Sequence, residues 1–155
     1  MEKGTVVHGM VLGTGQPVQV LDYADYKTKK AQEDKKAVIA EGMVPQLPHE
    51  YAEAEQLAQA VRDHDVAGGL FAEGDAEVSG FWLDSEFGIW LRMRMDWLAY
   101  VDGIPTIGDL KTAKSASPRE FARSVYDYRY FMQDPHYREG LAAIRAKRAP
   151  NFKGV

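Results

Sequence analysis

Two aspartates and one lysine near the middle of the chain have the residue types that metal-assisted hydrolysis uses. Asp102-Gly103 lies between two apolar runs, and this dipeptide predicts a two-residue hairpin turn because both positions tolerate a positive φ. Counting outward from that turn places Asp96 opposite Asp109, and Lys111 shares the Asp109 face of its strand. The expected hairpin therefore brings two carboxylates and an amine to one region.

Two opposed carboxylates cost stability when both are ionised, so such a pair usually shares a proton or a cation. Oxygen ligands without sulfur suit Mg²⁺ or Mn²⁺, which accept one or two carboxylates and leave the other positions to water and phosphate. A lysine beside that cation can orient or deprotonate a water molecule. The alternative is a surface hairpin whose aspartates are balanced by Arg94 and Lys111, and the spacing favours neither interpretation.

The composition narrows the classes of protein to which the chain can belong. Its 155 residues are 45% hydrophobic and 27% charged, which predicts one globular domain over residues 1–155. The absence of cysteine excludes a disulfide scaffold, thiolate-bound zinc, an iron–sulfur cluster and a cysteine nucleophile. With no apolar run near ~20 residues and no leader, we expect a soluble, cytoplasmic protein without a membrane partner. The net charge of −4 argues against broad adhesion to nucleic acid but permits a local basic groove.

Hydrophobic periodicity predicts helices on both sides of a group of strands. We expect helices over residues 4–12, 23–40, 50–64, from 118 to about 131, and 137–147. We expect Gly68-Gly69 to interrupt the secondary structure before the strands begin. We expect strands over residues 77–83, 88–101 and 104–111. This order predicts an α/β (α+β) fold in which a small mixed central sheet is flanked by helices.

Other aromatic, basic and histidine residues have ordinary structural interpretations. Core or sheet packing is expected for Trp82, Trp90 and Trp97, and for the tyrosine stripe at 126, 130 and 137 in preference to stacking on DNA. Solvation is expected for Arg119, Arg123 and Arg129, which could also meet phosphates. The remaining histidines, His49, His64 and His136, have no ligand spacing to one another, and we assign them no role.

An ordered set of motifs resembles the PD-(D/E)xK nuclease superfamily. The motifs are Gly4-Thr5-Val6-Val7-His8, Glu77-x-Ser79-x-Phe81-Trp82, residues 92–97, residues 108–112, and Tyr128-x-Tyr130-x-x-Gln133-x-x-x-Tyr137. The set is most similar to the phage and bacterial exonuclease VIII group, which in turn resembles RecB-type nuclease domains and lambda exonuclease. The resemblance runs from about residue 4 to residue 143.

The resemblance implies a role for several residues. Asp96 and Asp109 would be metal ligands together with the backbone carbonyl of Leu110, and Lys111 would position the attacking water. His8 would be the additional metal ligand of RecB-like members.

Three further residues would support that centre. Gln133 would hold the water or the lysine, and Tyr137 would approach the phosphate or pack beside Gln133. Glu77 would support the site most simply by pairing with Arg94. On residue type alone, a histidine in an apolar helix is more often a core residue, and Gln133 could be an ordinary exposed position.

The resemblance also implies an activity and partners. The activity would be Mg²⁺- or Mn²⁺-dependent hydrolysis of DNA, most like that of a 5′-to-3′ double-strand DNA exonuclease of phage-type recombination in a bacterial or phage-infected cell. DNA would be the main partner, with a single-strand annealing protein and a second copy of the chain as further candidates. Compared with the family, we expect a domain shortened at both ends, with Pro135 interrupting the Gln133–Tyr137 helix.

Two alternatives come from other classes of function. The first is a shortened, inactive nuclease-like domain that binds DNA or a recombination partner without cleaving. The second is a structural or regulatory α+β module in which the hairpin takes no part in chemistry.

Overall fold

The structure is a computed structural model that describes residues 2–113, 115 and 117–146. Its helices are α1 Glu2–Leu12, α2 Lys29–Ala40, α3 Pro48–Asp63, α4 Ala67–Ala72, α5 Pro118–Asp127 and α6 Tyr130–Arg145. Its strands are β1 Val18–Val20, β2 Val44–Gln46, β3 Asp75–Asp84, β4 Ile89–Val101 and β5 Ile104–Gly108. They form a parallel pair, β1-β2, and an antiparallel sheet of order β3-β4-β5, which confirms the α/β (α+β) class.

The chain divides into two compact units. The first unit is Met1–Ala76 with Ala99–Thr106, and the second unit is Glu77–Leu98 with Ile107–Val155. No helix among the described residues has the length and apolar content needed to cross a membrane.

The first unit is built around a helix pair and the parallel strand pair. Val6 and Val7 of α1 form a buried cluster with Ala54 of α3, because the three- and four-residue spacing of apolar positions in both helices gives each an apolar face. Arg62 Nη2 at the end of α3 donates a hydrogen bond to the Met10 carbonyl oxygen at 2.9 Å. Side-chain packing and this long-range hydrogen bond therefore help to hold α1 to α3.

Two local expectations in the first unit are wrong. The second helix begins at Lys29 rather than near residue 23, because the Thr28 side chain caps it by accepting from the Ala31 N–H at 3.2 Å. The Gly68-Gly69 pair lies inside α4 instead of breaking the chain. A Cβ at Gly68 would lie 2.2 Å from the Arg62 carbonyl oxygen, so this glycine permits a close backbone approach.

The hairpin that joins β4 and β5 has the predicted turn. Asp102 and Gly103 have φ values of 51° and 76°, the signs that a two-residue turn between right-twisted strands requires. Strand β5, however, ends at Gly108, whereas the sequence predicted a strand that continues to residue 111. Since the turn sets Val101 against Ile104, Gly108 is placed opposite Trp97, and the earlier part of β4 extends past the end of β5.

The core of the second unit lies on one face of the sheet. Trp82, Met93 and Met95 are buried together with Ala143 of α6. Trp97 is buried as expected, whereas Trp90 is 46% exposed. The strand alternation explains this error, because even-numbered β4 positions point away from the face that carries the odd-numbered methionines.

Two helices replace the single helix expected from residue 118 to about 131. Ser117 caps α5 as predicted by accepting from the Glu120 N–H. Helix α5 ends at Asp127, Arg129 adopts a left-handed φ of 55°, and α6 begins at Tyr130. The expected last helix over 137–147 is the second half of α6, and residue 147 lies outside the described residues.

Helix α6 packs closely against the sheet through one stripe of residues. Gln133, Tyr137, Gly140 and Ile144 are spaced by four, three and four residues, so they share a face. A Cβ at Gly140 would lie 2.7 Å from Cζ3 of Trp82, so the absence of a side chain at Gly140 allows this approach. The same stripe therefore fixes the helix and directs Gln133 towards Asp109, just after β5, and Tyr137 towards the backbone of β4.

Candidate active site

Two adjacent α6 side chains hold the helix to the backbone of β4. The Tyr137 hydroxyl donates to the Arg94 carbonyl oxygen at 2.7 Å, and His136 Nε2 lies 3.1 Å from the Arg92 carbonyl oxygen. Carbonyls two residues apart on a strand point to the same edge. The two side chains therefore hold α6 along one edge of β4.

The hairpin brings Asp96 to the segment that follows β5. Asp96 Oδ2 accepts a hydrogen bond from the Leu110 backbone N–H at 3.1 Å. The chain leaves the sheet after Gly108, so Asp109 and Lys111 lie in an irregular segment and not on a strand face. The structure thus brings Asp96 to this segment through a bond from side chain to backbone, while the two-residue turn supplies the register.

Asp109, Lys111 and Gln133 form one hydrogen-bonded cluster. Lys111 Nζ lies 2.7 Å from Asp109 Oδ1 and 2.6 Å from Oδ2, and Gln133 Nε2 donates to Oδ1 at 2.9 Å. The Lys111 and Asp109 side chains are only 24% and 29% exposed. This partial burial and the double contact make the ion pair stronger than an exposed one.

Gln133 thus contacts the aspartate, whereas the expected contact was with the lysine or a water. The ammonium group of Lys111 also lies 5.0 Å from the centre of the Tyr130 ring, within the range of a cation–π interaction. One carboxylate and one aromatic ring therefore define where the lysine amine sits.

Glu77 and Arg94 form the expected pair at the edge of this region. Arg94 Nη1 lies 3.9 Å from Glu77 Oε2, with both side chains well exposed, so the pair contributes little to stability. Glu77 has a left-handed φ of 52°, which is strained for a residue with a Cβ. Such strain is common at positions that serve a function.

The residues predicted to hold a metal are of a type that suits a hard divalent cation. The carboxylates of Asp96 and Asp109 and the Leu110 carbonyl offer oxygen only, and Mg²⁺ takes one or two carboxylates while keeping water and phosphate in its other positions. In the part of the chain that the structure describes, no three His, Asp or Glu side chains cluster closely enough to form a metal site. As they stand, the two oxygens of Asp109 are neutralised by an ammonium group.

His8 belongs to the first unit. It lies on α1 directly after the buried residues Val6 and Val7, and it is itself partly buried. Its predicted role as an additional metal ligand remains a prediction.

Sequence reasoning missed two participants in the second unit. His136 was given no role, yet it contacts the β4 backbone beside Tyr137, and Tyr130 was expected in the core but faces Lys111. The missed signal for His136 is its position next to Tyr137 on the helix that carries Gln133. Nothing in the sequence indicates the ring contact of Tyr130, because it depends on the break between α5 and α6.

Comparison with known proteins identifies the family. Residues 1–152 match a family described as a PDDEXK-like domain of unknown function (DUF3799). A search of curated proteins gives no match. The matched family covers nearly the whole chain and confirms the resemblance to the PD-(D/E)xK nuclease superfamily, which suggests a nuclease-type function. Nucleases of this superfamily generally depend on a divalent metal. The chain belongs to this family of PDDEXK-like domains.

Proposed function

We propose that the protein is a metal-dependent deoxyribonuclease that hydrolyses phosphodiester bonds in DNA at Asp96, Asp109 and Lys111. The observation that carries the proposal is the cluster in which one carboxylate accepts from both Lys111 and Gln133 at 2.6–2.9 Å. A surface hairpin balanced only by charge would not need an amide from a separate helix. Family membership supports the same reaction class.

Asp96 and the residues of the cluster have distinct tasks in this proposal. Asp96, Asp109 and the Leu110 carbonyl would hold Mg²⁺ or Mn²⁺, which when bound polarises the phosphate and lowers the pKa of a bound water. Gln133 fixes the orientation of the Asp109 carboxylate by its hydrogen bond to Oδ1. Lys111 carries the proton donor nearest to that carboxylate, so its amine can hold a water for attack or donate to a phosphate oxygen.

Tyr137 acts as a positioning residue in this account. Its hydroxyl is engaged with the Arg94 carbonyl oxygen at 2.7 Å, so it holds α6 at the distance from which Gln133 reaches Asp109. Pro135 lies within the same helix between the two residues. The helix nevertheless places both side chains on its sheet-facing stripe.

The finer proposal is an exonuclease that degrades one strand of double-stranded DNA in the 5′-to-3′ direction, as in phage-type recombination. It rests on the resemblance of the ordered motifs to the exonuclease VIII group. Partners would be DNA and, in such a pathway, a single-strand annealing protein.

Incubation with labelled DNA tests both the proposed metal-dependent nuclease activity and the finer proposal of a 5′-to-3′ exonuclease. Linear duplex labelled at either end and closed circular duplex are incubated with Mg²⁺, Mn²⁺ or EDTA. We expect cleavage with metal only, loss of cleavage in Asp109→Asn, and degradation of linear DNA from the 5′ end while circles persist. Cleavage of circles would contradict the exonuclease proposal, and binding without cleavage under every condition would favour the inactive-domain alternative.

The chain contains a matched control for this substitution. Asp25-Tyr26-Lys27 has the same Asp-x-Lys spacing, and Lys27 Nζ lies 2.9 Å from Asp25 Oδ2. Asp25→Asn removes an ion pair of the same spacing that is more exposed and lies outside the cluster, and it should leave the cleavage rate unchanged. If Asp25→Asn and Asp109→Asn reduce cleavage equally, the assignment of Asp109 is wrong.

A further inference from the structure

The segment from Arg119 to Tyr130 exposes aromatic rings that packing does not explain. None of the ten residues of α5 is buried, and Tyr126 and Tyr128 are 76% and 71% exposed. Tyr126 was expected to pack in the core with Tyr130. Large exposed rings on one segment usually mark a surface that binds something.

Arginines accompany these rings in a regular pattern. Arg119, Arg123 and Tyr126 are spaced by four and three residues, so they lie on one face of α5. Residues 111–130 contain five Lys or Arg and two Asp or Glu, a net charge of +3 within a chain of net charge −4. The two acids, Glu120 and Asp127, are also exposed. We call the surface made by Arg119, Arg123, Tyr126, Tyr128 and Tyr130 the tyrosine–arginine surface.

Two tyrosines of this surface connect it to the proposed active site. The rings of Tyr128 and Tyr130 stack with centroids 5.7 Å apart and planes inclined by 20°. Tyr130 in turn faces the Lys111 ammonium, whose amine contacts Asp109. The stacked rings therefore extend from the solvent-exposed Tyr128 to Tyr130, beside the cluster where phosphodiester cleavage is proposed.

We propose that the tyrosine–arginine surface binds a single-stranded stretch of DNA and guides it to the cluster at Asp109. The inference rests on the proposed nuclease function and adds to it the form of DNA, an unpaired strand, that reaches the cluster. Bases stack on tyrosine faces without regard to sequence, whereas arginines meet the phosphates. In double-stranded DNA the base faces are already stacked, so the exposed rings favour a strand whose bases are free.

Binding is measured by fluorescence anisotropy with a labelled single-stranded oligonucleotide and a labelled blunt hairpin duplex, both in EDTA so that no strand is cut. We expect Tyr128→Ala to weaken binding of the single strand about 5- to 150-fold, the range of one lost base–aromatic stack. Tyr128→Trp should restore it, because the larger ring still stacks. The affinity for the blunt duplex should change by less than twofold.

Tyr100 offers a matched control, since it is a tyrosine with 69% exposure outside this surface. Tyr100→Ala should bind the single strand as the wild type does. The proposal is overturned if the wild type does not bind the single strand, if Tyr128→Ala binds it within twofold of the wild type, or if both alanine variants lose equal affinity.

The cleavage assay separates this inference from the nuclease proposal. If single-strand binding depends on Tyr128 but no metal supports cleavage, the nuclease proposal fails and the binding surface stands. If DNA is cleaved while Tyr128→Ala binds and cuts a single strand as the wild type does, the binding surface fails and the nuclease proposal stands.

Discussion

Replacing Lys111 with methionine separates two roles that the amine could have. The change keeps an unbranched side chain of similar length beside Tyr130 and removes only the charge. If the lysine activates water, cleavage should fall by about 10²- to 10⁴-fold, the usual range for a general acid–base group. If the lysine also competes with a cation for Asp109, metal affinity should rise.

The size of that rise follows from the contact distances. Lys111 Nζ lies within 2.7 Å of both Asp109 oxygens, so a cation on the same carboxylate would lie about 5 Å from the ammonium. Charges of +1 and +2 at about 5 Å repel by about 1–2 kcal/mol even at the dielectric constant of water. Because 1.4 kcal/mol is tenfold in affinity, we expect Lys111→Met to bind Mn²⁺ about 5- to 30-fold more tightly.

Isothermal titration calorimetry with Mn²⁺ measures this affinity, and circular dichroism establishes that the variant folds. Lys27→Met removes the amine of the Asp25–Lys27 ion pair and should leave the Kd for Mn²⁺ within twofold of wild type. The reasoning is refuted if folded Lys111→Met binds Mn²⁺ no more tightly than the wild type. It is equally refuted if the variant cleaves DNA at the wild-type rate.

Three further substitutions test the supports of the site. Tyr137→Phe should lower the free energy of unfolding by about 1 kcal/mol because the Arg94 carbonyl loses its donor; an unchanged Tm with lost cleavage would instead give the hydroxyl a chemical role. Gly140→Ala should lower the Tm although alanine gains about 1 kcal/mol of helix propensity, since overpacking against Trp82 costs about 1–3 kcal/mol; a higher Tm would contradict the close approach. His8→Ala should weaken Mn²⁺ binding more than it lowers the Tm, and a large Tm loss at unchanged Mn²⁺ affinity would make His8 a core residue.

Features governed by neighbouring residues could be predicted from the sequence. The Asp102-Gly103 turn needs two positive φ values, and the Ser117 cap needs one side-chain oxygen near a free N–H; both requirements are local. The helix break at Arg129 could not be predicted, because its left-handed φ occurs at a residue that carries no turn signal. The segment after β5 is held by Asp96, which is fourteen residues away from Leu110, so its conformation is not set by neighbouring residues.

In the candidate site, likewise, the part that depends on the hairpin could be predicted and the part that depends on helix docking could not. Hairpin register alone placed Asp96 near the segment of Asp109 and Lys111, since strand pairing follows from the turn. The contact of Gln133 with Asp109 depends on how α6 docks on the sheet. That docking depends on Gly140 meeting Trp82, a contact between elements distant in the chain that periodicity does not reveal.

The central claim is that Asp96 and Asp109 hold one divalent cation. Anomalous diffraction from crystals soaked in Mn²⁺ tests it most directly, because manganese is located independently of any assumed ligand. The account predicts a manganese peak at coordination distance from both carboxylates, with the Lys111 ammonium displaced from Asp109, and no such peak in Asp109→Asn crystals. A peak elsewhere in the wild type, or none beside these carboxylates at saturating Mn²⁺, would contradict it.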